Sequence, residues 1–243
     1  MDLTDKEIVA ALTFARGEFD SVFSILGDLK FALGGGAVTR ALYRYFHQED
    51  FEDVKDVSTY YQDIDIFSDG TKSFNDICEK LKHAPGVKVV KVKSSGDECP
   101  YYVRVCKFVQ EDKHFDVIES EPTAEQALLT FDILPCAVMI ADQHGYALDG
   151  AIKCIQQKEI VLNGFHKLAS TLLRIVKYTR RGFKVTPIAM LDLEGVPNGY
   201  TSPNGNFWRF GDFHIQSYLL TPADSVERVV PVSHKLSYRF MDI

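Results

Sequence analysis

Apolar residues recur at helical spacing between residues 4 and 26 (Ile8, Ala11, Leu12, Phe19, Val22, Phe23), which predicts one amphipathic helix. "LKFAL" (29–33) reads as a short strand that runs into glycines, and "AVTRALYRYF" (37–46) as the helix after them. "HQEDFEDVKDVST" (47–59) is acidic and aperiodic, so it reads as an exposed loop or surface insertion. "YYQDIDIF" (60–67) is strand-like, and "SFNDICEKLKHA" (73–84) is a helix stopped by Pro85-Gly86. Three further strands follow at 87–93, 101–109 and 114–120. The first two alternate apolar and polar residues as a half-buried antiparallel sheet does.

Downstream, "TAEQALL" predicts a short helix, "FDILPCAVMIA" (131–141) a buried strand, "DQHGYAL" (142–148) a turn and "DGAIKCIQQ" (149–157) a helix. "HKLASTLLRIVKYTRR" (166–181) is a longer helix stopped at Gly182, with Leu172, Ile175 and Val176 expected to pack. Beyond residue 186 the chain turns rich in Pro, Gly, Asn and aromatics, which reads as an irregular cap or a small appendage. The whole pattern predicts a mixed α+β protein with a central sheet flanked by helices. The expected organisation is a main domain over 1–150, a helical segment over 151–186 and a C-terminal cap over 187–243.

Two stretches carry candidate chemistry. In "LGGGAVTR" (33–40) a glycine pair, Gly35 and Gly36, stands between a strand and a helix. Backbone N–H groups there can turn toward an anion at the positive end of the helix. In "DIDIF" (63–67) Asp63 and Asp65 fall on one face of a strand, while Ile64 and Ile66 anchor the other. Two carboxylates so close repel each other and call for cations, and Mg²⁺ (or Mn²⁺) brings its own affinity for triphosphate oxygens. The order of the parts suits phosphoryl or nucleotidyl transfer from an NTP.

Composition narrows the setting. The net charge of −7 means that any polyanion-binding surface must be a local patch. The five cysteines form no CxxC pair, which favours a reducing compartment over a disulfide framework. No apolar run approaches the roughly 20 residues that span a bilayer, and "MDLTDKE" lacks the character of a secretory leader, so no membrane partner and a cytoplasmic setting are expected. Residues 166–184 hold Lys167, Arg174, Lys177, Arg180, Arg181 and Lys184 without an acid. Arg174 and Lys177 share a helix face and are the candidates for nucleotide contacts, leaving Arg180 and Arg181 for an acceptor. Phe207, Trp208 and Phe210 read as a cap on the core or as a base-stacking cluster. Cys136 reads as a small buried hydrophobe.

In these residues the chain resembles nucleotidyltransferases of the DNA polymerase β superfamily. It is most similar to the head domain of bacterial-type CCA-adding tRNA nucleotidyltransferases and poly(A) polymerases, whose VGGAVRD, DIDL and RRDFTINALA are matched here by "LGGGAV", "DIDIF" and "TFDILPCAVMI". "HGYALDGAIKCIQQKEIVL" and "LLRIVKYTRRGFKV" match the hairpin and arginine-rich helix that follow, so the likeness runs in order over about 29–186. It implies a polymerase β-like fold with a neck-like helical segment after the head. It also implies metal-dependent, template-independent transfer of NMP from an NTP to an acceptor hydroxyl, with an RNA 3′ end as the expected acceptor.

By the same resemblance Asp116, in "HFDVIES", is the expected third carboxylate beside Asp63 and Asp65, as base or metal ligand in a two-metal site. Asp132 falls on the Asp of RRDF, and Gly35, Gly36, Thr39 and Arg40 fall on the nucleotide-binding turn. Glu119 and Glu121 are expected at the surface. The chain departs from the family at Thr39-Arg40 (Arg-Asp there), at Thr130-Phe131 (paired arginines) and at Lys167, Leu168 and Thr171 (EDxxR). Transfer to a protein or small molecule, and a non-catalytic nucleotide-binding or inhibitory module, are therefore alternative readings.

Overall fold

The computed structural model describes residues 3–51, 63–94, 102–111, 113–120, 123–165, 167–186, 208–209 and 213–220. The first helix, α1 (Asp5–Glu18), starts at a capping box in which Thr4 and Glu7 satisfy each other's backbone N–H groups. The predicted single helix over 4–26 is in fact two. The chain leaves helical geometry at Phe19, two residues after the weak helix former Gly17, and resumes as α2 (Asp20–Leu26). The break lets the Phe19 ring enter the core, where it is 1% exposed.

β1 (Phe31–Gly34) is buried along its whole length and leads directly into α3 (Gly35–Phe46). β2 (Asp63–Ser68) and α4 (Gly70–His83) follow, then β3 (Val87–Ser94), β4 (Tyr102–Gln110) and β5 (Lys113–Ser120). β6 (Val138–Ile140) and β7 (His144–Leu148) precede α5 (Ala151–Gln157), and β8 (Glu159–Ile160) and β9 (Gly164–Phe165) precede α6 (Leu168–Thr179). Last come β10 (Lys184–Val185), β11 (Trp208–Arg209) and β12 (Ile215–Leu219).

Eight of these strands form one mixed sheet in the order β12-β7-β6-β1-β2-β5-β4-β3. β2 and β5 are parallel, and the other neighbours in the sheet are antiparallel. Ile64 and Ile66 of β2 and Cys106 and Phe108 of β4 point into the core. Their alternates, Asp63 and Asp65 on β2 and Val105 and Lys107 on β4, line a cleft on the other face. One continuous apolar core runs from Ala11 on α1 through Phe183 to Ile215 on β12.

Further expectations need correction. Residues 131–141 are buried as predicted, but only Val138–Ile140 is a strand; a 3-10 turn at Leu134–Cys136 precedes it. Pro135 cannot join a ladder, and the buried loop is satisfied instead by Leu134 N–H to Val161 C=O (2.9 Å) and by the Asn163 amide, which donates to Leu129 C=O (3.0 Å) and Phe131 C=O (2.7 Å). "DQHGYAL" contains a strand, not only a turn. Gly145 signals close packing, since a Cβ there would stand 2.7 Å from Leu12 Cδ1.

Part of the C-terminal region joins the main sheet as β12, whose Ile215 is buried, and β11 pairs with β9. On α6 only Ile175 of the three expected packing residues is buried. The buried stripe is Leu168, Thr171, Ile175 and Tyr178, and Leu172 and Val176 face outward. The expectations for Glu121, Phe207, Phe210 and most of 187–243 lie outside the described residues.

Candidate active site

The cleft, of about 430 Å³, is bounded by Gly35 and Gly36 at the start of α3, by β2, β4 and β5, and by α6. Register builds its floor. Gly34 pairs with Asp65 across β1 and β2, and Asp65 pairs with Asp116 across β2 and β5. Asp116 in turn lies opposite Lys107 across β5 and β4, and the Lys107 ammonium donates to its carboxylate. Gly35 adopts φ +68°, and a Cβ on it would stand 2.6 Å from Asp65 Oδ2. Only glycine lets the helix start this close to the carboxylate. The first turn of α3 holds no acid and its cap makes no side-chain bond, so its N–H groups keep their capacity for an anion.

The predicted residues separate into two layers. Gly35, Gly36, Arg40, Asp63, Asp65, Asp116, Arg174 and Lys177 all line the cleft. Thr39 and Asp132 lie behind it. Thr39 is buried, with its hydroxyl 2.9 Å from Gly35 C=O and 2.7 Å from Pro135 C=O, so it ties the glycine turn to the loop beneath. Asp132 is 6% exposed, accepts from Thr171 Oγ1 at 3.0 Å and pairs with Arg174, which it aims at the cleft. Arg40 is steadied by Nε donating to Gly36 C=O at 3.3 Å.

Sequence reasoning missed Lys107, Thr130, Phe131 and Tyr178 as lining residues. Lys107 was within reach of it. The Gln110–Lys113 pair closes a tight hairpin, and counting back from it sets Lys107 against Asp116. The Tyr178 hydroxyl lies beside Gly36 and takes a bond from Cys136 Sγ (3.1 Å); burial pushes the Cys136 thiol up to about 11, in keeping with an inert buried residue. Glu119, expected at the surface, is instead 4% exposed and held by Arg104 and Thr71. Arg180 does not line the cleft, and Arg181 stacks on the Tyr178 ring at 5.4 Å.

Charge is concentrated here. Among the described lining residues four cations (Arg40, Lys107, Arg174, Lys177) face three carboxylates (Asp63, Asp65, Asp116). Burial, then the Asp116 carboxylate and to a lesser degree Asp63, push the Asp65 carboxyl up to about 7, against the pull of Arg174 and Lys107. Partial burial, then Arg181 and Arg40, lower the Lys177 ammonium. A carboxylate strained by like-charged neighbours, beside space that only a glycine leaves open, is a donor set suited to a hard cation. The fit is to the Asp63–Asp65 pair. Among the described residues no three His, Cys, Asp or Glu side chains gather closely enough to hold a metal.

No protein-family model and no curated protein sequence matches the chain. Solved structures do match. One is the Thermotoga maritima CCA-adding enzyme complexed with tRNA, with a TM-score of 0.51 and 18% identity over 75% of this chain and 43% of that one. Another is a tRNA-processing enzyme in an apo form, with a TM-score of 0.42 and 13% identity over 79% and 46%. The chain spans less than half the length of either. At such identity the first likeness is one of architecture: the chain shares a mixed α+β fold with the matched part of that enzyme.

Proposed function

We infer that the protein is a nucleotidyltransferase that moves a nucleoside monophosphate from an NTP to an acceptor hydroxyl, with pyrophosphate as the leaving group. The observation that carries this reading is the abutment of Gly35 on Asp65. It brings an anion-receiving helix start and a cation-receiving carboxylate pair into one cleft. Asp63 and Asp65 would hold Mg²⁺ or Mn²⁺. When bound, such an ion neutralises triphosphate oxygens and makes an attacking hydroxyl more acidic.

The chain's own groups supply the rest. The N–H groups at Gly35 and Gly36 receive phosphate oxygens, and Arg40 on the same helix and Arg174 and Lys177 on α6 bring positive charge to the cleft. Asp132 and Thr171 keep Arg174 aimed into the cleft. Asp116 stands beside the pair as the acceptor for the hydroxyl proton. Such a site stabilises developing charge with groups already in place, which contributes more than the proton transfer does.

An RNA 3′ end is the proposed acceptor, supported by the fold shared with an enzyme solved in complex with tRNA and by the exposed basic end of α6. The net charge of −7 favours a second reading in which the acceptor is a protein or small molecule, because the overall field repels RNA. Incubation with each α-labelled NTP, Mg²⁺ or Mn²⁺, total RNA and total protein decides between them. Label on RNA, absent with Asp63→Ala/Asp65→Ala, supports the first; label on protein or a small molecule supports the second. Nucleotide binding without transfer to anything overturns both.

A further inference from the structure

Three neighbouring strands place Asp65, Asp116 and Lys107 in one row across the cleft floor. Backbone register fixes the row, because Asp116 is the direct partner of Asp65 on one side and of Lys107 on the other. The Lys107 ammonium is bound to the Asp116 carboxylate, and both side chains are largely withdrawn from solvent, at 31% and 25% exposure. Neither Asp63 nor Asp65 is ion-paired among the described residues.

A divalent ion that used Asp116 would have to displace Lys107 or share the carboxylate with it. Displacement gives up a charge-assisted hydrogen bond and leaves the ammonium in a cleft that already holds Arg40, Arg174 and Lys177. Sharing sets a unit positive charge within a few ångströms of a double one. Asp63 and Asp65 present no such obstacle. The absence of a three-residue metal-holding group among the described residues agrees with this division.

We propose that Lys107 is the built-in counter-ion of Asp116, so that the cleft takes one divalent cation, on Asp63 and Asp65, and Lys107 occupies the place of a second. The inference rests on the cation-binding reading of Asp63 and Asp65 given above. It narrows the expectation of a third metal ligand: Asp116 is left as a carboxylate positioned by Lys107. Lys107 acts through Asp116 and is a positioning residue.

The test counts bound Mn²⁺ by electron paramagnetic resonance on the whole protein, with the metal alone as probe. Wild type binds one ion per chain at saturation, Lys107→Met binds two, and the conservative Lys107→Arg returns to one. A purely structural role for Lys107 would not raise the count. Two ions on wild type, or one on a folded Lys107→Met, overturns the proposal while leaving the Asp63–Asp65 site standing. No ion on wild type overturns that site and the proposal with it. The wild-type count decides even if Lys107→Met does not fold.

Discussion

A methyl group on Gly35 would stand 2.6 Å from Oδ2 of Asp65. The contact joins the two halves of the cleft: the helix start can lie this close to the carboxylate because residue 35 has no side chain. Gly35→Ala meets this clash at φ +68°, and the expected loss of stability is about 1–3 kcal/mol, with nucleotide binding lost as well. At Gly36 an added Cβ would find only Tyr178 OH, at an ordinary 3.9 Å, so Gly36→Ala keeps its stability within about 1 kcal/mol of wild type. Denaturant unfolding of the two variants side by side checks the contrast.

Asp65 links the cleft to pH. Its carboxyl, normally near 3.8, sits at about 7 in the folded chain, so the folded state holds the proton more tightly than the unfolded state does. The stabilisation from that proton is complete below about pH 4 and is lost as pH rises through about 7. Asp65→Asn removes this dependence. In metal-free buffer at about pH 8 the variant should be more stable than wild type by on the order of 2 kcal/mol, a gap that closes toward about pH 4. Unfolding followed across that range tests the sign as well as the size.

Asp132 is expected to act on nucleotide through Arg174. Asp132→Asn and Arg174→Gln should each weaken binding, and the double variant should be no worse than Arg174→Gln alone. Arg174→Gln should also lower stability by about 1–3 kcal/mol, because it leaves the buried Asp132 with Thr171 as its remaining side-chain partner. Nucleotide titration of the four proteins reads the cycle.

Asn163 holds the loop that carries Phe131 into the cleft wall. Asn163→Ala strips two buried carbonyls, Leu129 and Phe131, of their donor, and the expected loss is about 2–5 kcal/mol by denaturant unfolding.

The residues that carry a pattern were readable in the sequence, and those that depend on distant partners were not. The strand–glycine–helix order at 31–46 and the in/out alternation at Asp63–Ile66 follow from local chemistry, and the structure shows both. The turn at Leu134–Cys136 was hidden because an unbroken apolar run looks the same in a strand and in a buried loop; what separates them is Asn163, whose side chain replaces the ladder. β7 was hidden because Gly145 looks like a turn residue until Leu12 is known to press on it. The outward turn of Leu172 and Val176 depends on which face of α6 the rest of the chain covers, which helical spacing alone leaves open. Thr39 and Asp132 were found as site residues, but only the fold sets them behind the cleft.

The most direct test of one shared cation and nucleotide site is pyrophosphate release from an NTP in the presence of Mg²⁺ or Mn²⁺ and the acceptor mixture. Wild type is expected to release pyrophosphate, chelation to abolish the release, and Asp63→Ala and Asp65→Ala each to lower it by at least about a hundredfold. Release at near wild-type rates from either folded variant would contradict the shared site.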